Sequence, residues 1–289
     1  MAVHAYRAPR SISEAVSLLA NESGAFALSG GTDLLVQQRS GARSPGAFID
    51  LKRIPGLLGI EAQPDGWRIG AATPCIEIAA HAGLGRDFPG LVEAAGLIGS
   101  KQVQGRASLG GNLCNGSPAA DSVPALVANR ATLLVAGPQG ERRIAAECLT
   151  LGPGKTVLGS GEFVSAILIP RPQGRQADAY LRFIPRTEMD IAVVGAAASV
   201  QRDADGRCVS ARIALGAVAP TVLTVPEADA ALIGSDLGAE AIAACVAHAQ
   251  AACKPITDRR GTADFRRHVA GVLLRRVIDI AARRAAEGV

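Results

Sequence analysis

Aromatic side chains are nearly missing from this sequence: one tryptophan, two tyrosines and six phenylalanines among 289 residues, or 3%. Hydrophobic residues still reach 48%, so a core is assured, but Ala, Val, Leu and Ile must fill it. The same scarcity excludes a nucleic-acid surface built on base stacking, and a net charge of +4 is too mild to hold a polyanion. The basic group Arg259, Arg260, Arg266 and Arg267 reads as a solvated helix face. Cysteines stand at 75, 114, 148, 208, 245 and 253, with no C-x-x-C pair and no regular spacing. That argues against a zinc site, an iron–sulfur cluster or a disulfide framework, and for small packed thiols. His4, His81, His248 and His268 are far apart, and none pairs with a serine or cysteine in a triad pattern, so no catalytic base or nucleophile is expected. No run approaches the roughly 20 apolar residues of a membrane span, and MAVHAYRAPRSISEA lacks a continuous apolar signal core. The expectation is a cytoplasmic protein with no membrane span and no nucleic-acid partner.

What is present is an α+β pattern in two parts. Ser11 and Glu14 form a capping box ahead of AVSLLA. AFALSGG reads as a strand running into a glycine turn, and AFIDL and WRIGAA as further strands. Thr73-Pro74 is expected to start a helix with proline at its first position. PGLVEAAGLI and VPALVANR read as helices, ATLLVAG with RRIAA as a strand pair, and FVSAILIP as a strand. The polar tract PRPQGRQAD at 170–178 is the best boundary, giving parts 1–175 and 176–289. Beyond it, AYLRFI, IAVVGAAASVQRD and CVSARIALGAVA suggest a small antiparallel sheet, with an Asp-Gly hairpin signal in RDADGRC. Helices EADAALIG, AEAIAACVAHAQAAC and about 262–285 complete this second part.

Two stretches share one form. LSGGTDLL (28–35) and ASLGGNL (107–113) each read as a strand end, then Gly-Gly, then a small polar residue. Glycine allows positive φ and removes Cβ, so successive amides can face one concavity and bind an anion. The hydroxyls of Thr32 and Ser108 and the amide of Asn112 would complete the hydrogen bonds. Two such nests meeting in space suit the diphosphate of a dinucleotide, although a Gly-Gly pair by itself is most often only a turn. Neither stretch is a G-x-G-x-x-G fingerprint, and GPGKT (152–156) lacks the first glycine of a Walker loop because Leu149 stands there. Asp121 admits two readings, a hydrogen-bond acceptor for a ribose or adenine and a helix cap before SVPALVA.

LSGGTDLL, SLGGNLCNGSPAADSVPAL and RTEMDIAVVGAAASV, in this order, resemble the FAD-binding medium subunits of molybdenum hydroxylases. The similarity runs over nearly the whole chain, through ILIP (167–170) and ITDRRGTADFRRHVAGVLLRRV. It implies a two-lobed FAD-binding domain of the vanillyl-alcohol-oxidase type, followed by a smaller α+β domain with a three-stranded antiparallel sheet. It also implies that FAD is held by Leu28, Ser29, Gly30, Gly31, Thr32, Asp33, Leu34 and Leu35, and by Ser108, Leu109, Gly110, Gly111 and Asn112. By the same resemblance Asp121 takes the adenosine end, Ile98 and Val164 touch the cofactor, and Arg182 stands near the flavin. Met189-Asp190 would begin a strand of the second domain. The extra cysteine-rich loop of the 4-hydroxybenzoyl-CoA reductases has no counterpart here, so this chain would hold flavin and no metal. Its partners would be a large molybdenum-cofactor subunit and a small iron–sulfur subunit, in a heterotrimer or a dimer of heterotrimers. The chain would be an oxidoreductase subunit that passes electrons from those clusters to an external acceptor. Two other readings are a flavoenzyme that oxidises substrate directly, disfavoured by the lack of aromatics, and an assembly module without cofactor, disfavoured by the intact glycines.

Overall fold

The computed structural model describes residues 5–186 and 189–287. A first lobe comprises β1 (Ala5–Arg7), α1 (Ile12–Asn21), β2 (Ala25–Leu28), α2 (Leu34–Arg39) and β3 (Ala47–Asp50). The strands form a parallel sheet in the order β1-β3-β2. Ser11 caps α1 by accepting the Glu14 amide at 3.1 Å, while the Glu14 carboxylate accepts the Arg10 amide at 2.8 Å. Parallel strands require crossovers, so β2 ends at the sheet rim and hands the chain directly to a glycine turn. The carboxyl ends of strands in such sheets are where ligands bind.

The second lobe begins with β4 (Ile60–Gln63) and β5 (Gly66–Gly70). Six short helices follow: α3 (Cys75–Ala80), α4 (Ala82–Asp87), α5 (Pro89–Gly96), α6 (Lys101–Gln104), α7 (Leu109–Cys114) and α8 (Ser122–Ala128). Then come β6 (Thr132–Gly137), β7 (Gly140–Ala145), β8 (Thr150–Gly152), β9 (Lys155–Thr156) and β10 (Phe163–Pro170). The main sheet is antiparallel, ordered β4-β5-β10-β6-β7, so β10 slots into its centre although it comes last. Both faces of β10 are covered, which is why FVSAILIP is almost continuously apolar. Its one hydroxyl, on Ser165, donates to the Leu134 carbonyl at 3.2 Å.

The last part holds β11 (Arg175–Phe183), β12 (Val194–Arg202), β13 (Cys208–Gly216), α9 (Pro226–Leu232), α10 (Ala239–Ala252) and α11 (Ala263–Glu287). Its antiparallel sheet is packed on both sides. Tyr180, Ala197 and Ala214 are in register across the three strands and join the core of the second lobe. The alternate residues Ala179, Ala198 and Ile213 face the core shared with α10 and α11. Alanine on both faces lets helices approach closely, and a Cβ on Gly90 of α5 would sit 2.7 Å from the Ala179 backbone. Asp178 fastens this junction by accepting the amides of Gly90 at 2.8 Å and Leu91 at 3.1 Å and the Asn129 side chain at 2.6 Å.

Several local expectations change. Pro74 has ψ 136° and pairs with Ser108 in an antiparallel bridge, so it precedes α3 instead of opening it. Stretch 107–113 does not end a strand: Ser108 is the N-cap of α7, and both glycines lie in the first helical turn. Met189 and Asp190 belong to a loop, and β12 starts only at Val194. Asp190 is held there by Arg186 at 3.1 Å, while Thr187 and Glu188 of the RTEMD motif lie outside the described residues. β11 begins at Arg175, so only 171–174 of the polar tract is connection.

Candidate cofactor site

The two glycine stretches meet between the lobes. A Cβ on Gly30 would fall 1.8 Å from the Arg106 carbonyl oxygen, so the β2–α2 turn lies directly on the chain leading into α7. A Cβ on Gly110 would fall 2.5 Å from the Ala71 carbonyl oxygen, which sets α7 hard against the end of β5. The hydroxyls of Ser29 and Ser108 join across the seam at 2.8 Å, and the Ser108 oxygen also accepts the Gly111 amide at 3.1 Å.

The two stretches present different groups. Gly31 has φ +76°, and the amides of Gly30, Gly31 and Thr32 have no hydrogen-bond partner among the described residues. In the other stretch the Gly110 amide donates to Ala71 and the Gly111 amide to Ser108, and neither glycine has positive φ. The sequence expectation of two equivalent nests is therefore corrected. One turn is a nest whose Gly30, Gly31 and Thr32 amides are free donors, and its neighbour is a capped helix start whose glycines allow close approach. Asn112 adds an amide whose oxygen accepts the Ser122 hydroxyl at 2.7 Å.

These elements border a cleft that is open to solvent. Of the residues expected from sequence, Leu28 to Leu34, Ile98, Ser108, Gly110, Gly111, Asn112 and Val164 line it. Leu35 and Leu109 do not: Leu35 is 37% exposed, and Leu109 is buried in the core. Sequence reasoning missed Phe26, Arg43, Asn115, Leu158 and Glu162, which also line it. Asn115 lies within SLGGNLCNGSPAADSVPAL and Phe26 within AFALSGG, but local pattern singles out neither; the guanidinium carbon of Arg43 lies 5.5 Å from the Phe26 ring centroid, a pairing only the fold creates. Cys114 also faces the cleft, and burial pushes its thiol up to about 12, so it is no nucleophile.

Asp121 and Arg182 stand apart from the cleft lining, bound to each other at 2.6 Å. Tyr180 donates to the other Asp121 oxygen at 2.9 Å. Asp121 occupies the N-cap position of α8 without capping it. Burial raises its carboxyl above the ordinary value, against the pull of Arg182 and Tyr180, and burial together with this carboxylate drives the Tyr180 phenol well up. The Arg182 Nε is buried and without a partner among the described residues. Asp121, expected at the adenosine, and Arg182, expected near the flavin, are thus one ion pair outside the cleft lining.

Among the described residues no group of three or more His, Cys, Asp or Glu is placed to hold a metal, and no helix is long and apolar enough to cross a membrane. Free amides beside a close-packed backbone seam suit a diphosphate. Residues 2–172 match the family model for the FAD-binding domain in molybdopterin dehydrogenase, and residues 179–281 match the CO dehydrogenase flavoprotein C-terminal domain. The chain belongs to this flavoprotein family. It is 35% identical to the carbon monoxide dehydrogenase medium chain of Afipia carboxidovorans, over 97% of both chains. It is 29% identical to the xanthine dehydrogenase FAD-binding subunit of Escherichia coli O157:H7, over 95% of this chain and 94% of that one. Among solved structures it is similar to a chain of reconstituted CO dehydrogenase from Oligotropha carboxidovorans, with TM-score 0.94, 33% identity and coverage of 98% and 99%. A chain of quinoline 2-oxidoreductase from Pseudomonas putida 86 matches with TM-score 0.90 and 28% identity, over 98% of each. The flavoprotein family thus carries FAD and serves oxidoreductases, and the FAD-binding fold with its three-stranded C-terminal sheet is the one found here.

Proposed function

We infer that this flavoprotein subunit holds FAD with its diphosphate over the Gly30–Thr32 amides, and relays electrons from an iron–sulfur partner to an external acceptor. The free amide row beside the Ser29–Ser108 seam is the observation that carries the reading. FAD supplies one- and two-electron chemistry, while the protein fixes its position and the charge around it. The amides of Gly30, Gly31 and Thr32 donate to phosphate oxygens. The Asn112 amide and Thr32 hydroxyl lie alongside as further donors. Apolar Ile98, Ala71 and Val164 form a wall that keeps water from one side of the cleft. The division into a cofactor part and a second domain falls between β10 and β11. Partners of the medium-chain kind, a large molybdenum subunit that binds substrate and a small iron–sulfur subunit, are supported by the names of the relatives. A heterotrimer or a dimer of heterotrimers in the cytoplasm follows from the same reading.

The test uses the visible spectrum. Purified alone, the chain is expected to hold FAD and to leave the substrate of the complex untouched. Co-purified with the products of neighbouring genes, the same substrate bleaches the flavin band. Turnover of an organic substrate by the isolated chain would overturn the relay, and a chain that takes up no FAD would overturn the cofactor site.

A further inference from the structure

Behind the free-amide turn lies a set of polar contacts that the diphosphate reading leaves unused. Lys52 follows β3, and its ammonium donates to the Ser29 carbonyl at 2.7 Å and to Asp50 Oδ1 at 2.6 Å. Asp50 is buried, and it also accepts the Lys52 amide at 3.0 Å and the Tyr6 hydroxyl at 2.5 Å. Burial alone would raise the Asp50 carboxyl, but the Lys52 and Tyr6 bonds hold it below the ordinary value, so it is a fixed anion. Lys52 is thus anchored by one face of the first-lobe sheet and reaches the peptide that joins Ser29 to Gly30.

That peptide has two ends. Its carbonyl accepts the Lys52 hydrogen bond, and its N–H is the unpartnered Gly30 amide at the cleft. A cation on the carbonyl oxygen polarises the whole amide unit and makes its N–H a stronger donor. We propose that Lys52, clamped by Asp50 and Tyr6, is a positioning residue for the cofactor diphosphate: it fixes the Ser29–Gly30 peptide and strengthens the Gly30 N–H that meets the phosphate. The device acts from behind the turn, and Lys52 itself is not among the residues lining the cleft. It works together with the Ser29–Ser108 bond, which ties the same residue to α7 on its other side.

The inference rests on the diphosphate reading, and the test separates the two. Apoprotein of the full chain is titrated calorimetrically with FAD and, independently, with ADP, for wild type, Lys52→Met, Lys52→Gln and Lys52→Arg. Loss of a charge-assisted bond predicts that Lys52→Met weakens both ligands on the order of tenfold or more. Lys52→Gln, which keeps a donor without the charge, falls between, and Lys52→Arg recovers most of the affinity. Thermal unfolding of each apoprotein is the control, and the Gln and Arg variants are expected to melt close to wild type. If Lys52→Met does not fold, Lys52→Gln carries the comparison. FAD and ADP affinities in Lys52→Gln equal to wild type within twofold would overturn the proposal. So would an Arg variant as weak as Gln at unchanged melting temperature. A wild-type apoprotein that binds neither FAD nor ADP would instead overturn the diphosphate reading itself.

Discussion

Segment 28–33 leaves the Gly30 and Gly31 amides free, whereas segment 108–112 has tied its glycine amides to Ala71 and Ser108. The difference comes from what precedes each Gly-Gly pair. Leu28 ends a strand at a sheet rim, so the next amides have no neighbour to pair with. Ser108 instead follows a helical turn and caps the next helix, which absorbs the amides that come after it. The unpaired glycine amides therefore sit on one side of the seam, while the glycines of the other side serve its shape. Gly30 is needed because Arg106 leaves no room, Gly31 for its backbone conformation, and Gly110 because Ala71 leaves no room.

The most disruptive way to probe this contrast is Gly30→Ala. A methyl 1.8 Å from a backbone oxygen cannot be absorbed without parting the two segments. The expected cost is about 3 kcal/mol or more of stability, in the range of severe overpacking and backbone strain. Denaturant unfolding measures it, and the protein should be colourless. A stable yellow Gly30→Ala would show that the seam is not as tight as its geometry states.

Gly111→Ala probes the shape side, with a smaller effect. The new methyl would find the Ser108 Oγ at 3.2 Å and the Ser29 Cβ at 4.0 Å, while facing the cleft. In the first turn of α7 the gain of alanine over glycine is below the roughly 1 kcal/mol of a helix interior, and the tight Ser108 contact offsets part of it. The apoprotein should melt no lower than wild type, yet FAD affinity should drop about tenfold, a loss of about 1.4 kcal/mol. Equal FAD affinity would mean that the α7 side of the seam does not touch the cofactor.

How far the sequence reveals this depends on the range of the interaction. Capping at Ser11, the Asp-Gly hairpin after β12 and the three-strand sheet are set by neighbours in the chain, and they read correctly from local pattern. The identity of LSGGT and SLGGN as paired elements is also legible, because glycine doublets are rare punctuation in an alanine-rich chain. What local pattern does not carry is which doublet keeps its amides. That depends on the Pro74–Ser108 bridge and on Ala71, a residue 39 positions before Gly110. The same holds for the Asp121–Arg182 pair, which joins α8 to β11 and leaves Asp121 no capping role. Arg43 over Phe26 and Lys52 behind Ser29 rest on contacts that no spacing rule announces.

Charge gives the finest distinction between the two segments. Segment 28–33 ends in a carboxylate, Asp33, where segment 108–112 ends in the neutral amide of Asn112. Asp33 lines the cleft at an exposed position, and partial desolvation raises its carboxyl above the ordinary value. A diphosphate alongside would raise it further, so FAD binding would take up a fraction of a proton. Linkage then fixes the sign: affinity must rise as pH falls through the range where Asp33 titrates in the free protein. Wild type should bind FAD about threefold more tightly at about pH 5 than at about pH 7, the scale of one partly screened charge pair. Asp33→Asn should bind more tightly than wild type at neutral pH and show a flatter profile toward acid. Parallel profiles for the two proteins would place Asp33 away from the phosphates and make the free amides the sole difference between the segments.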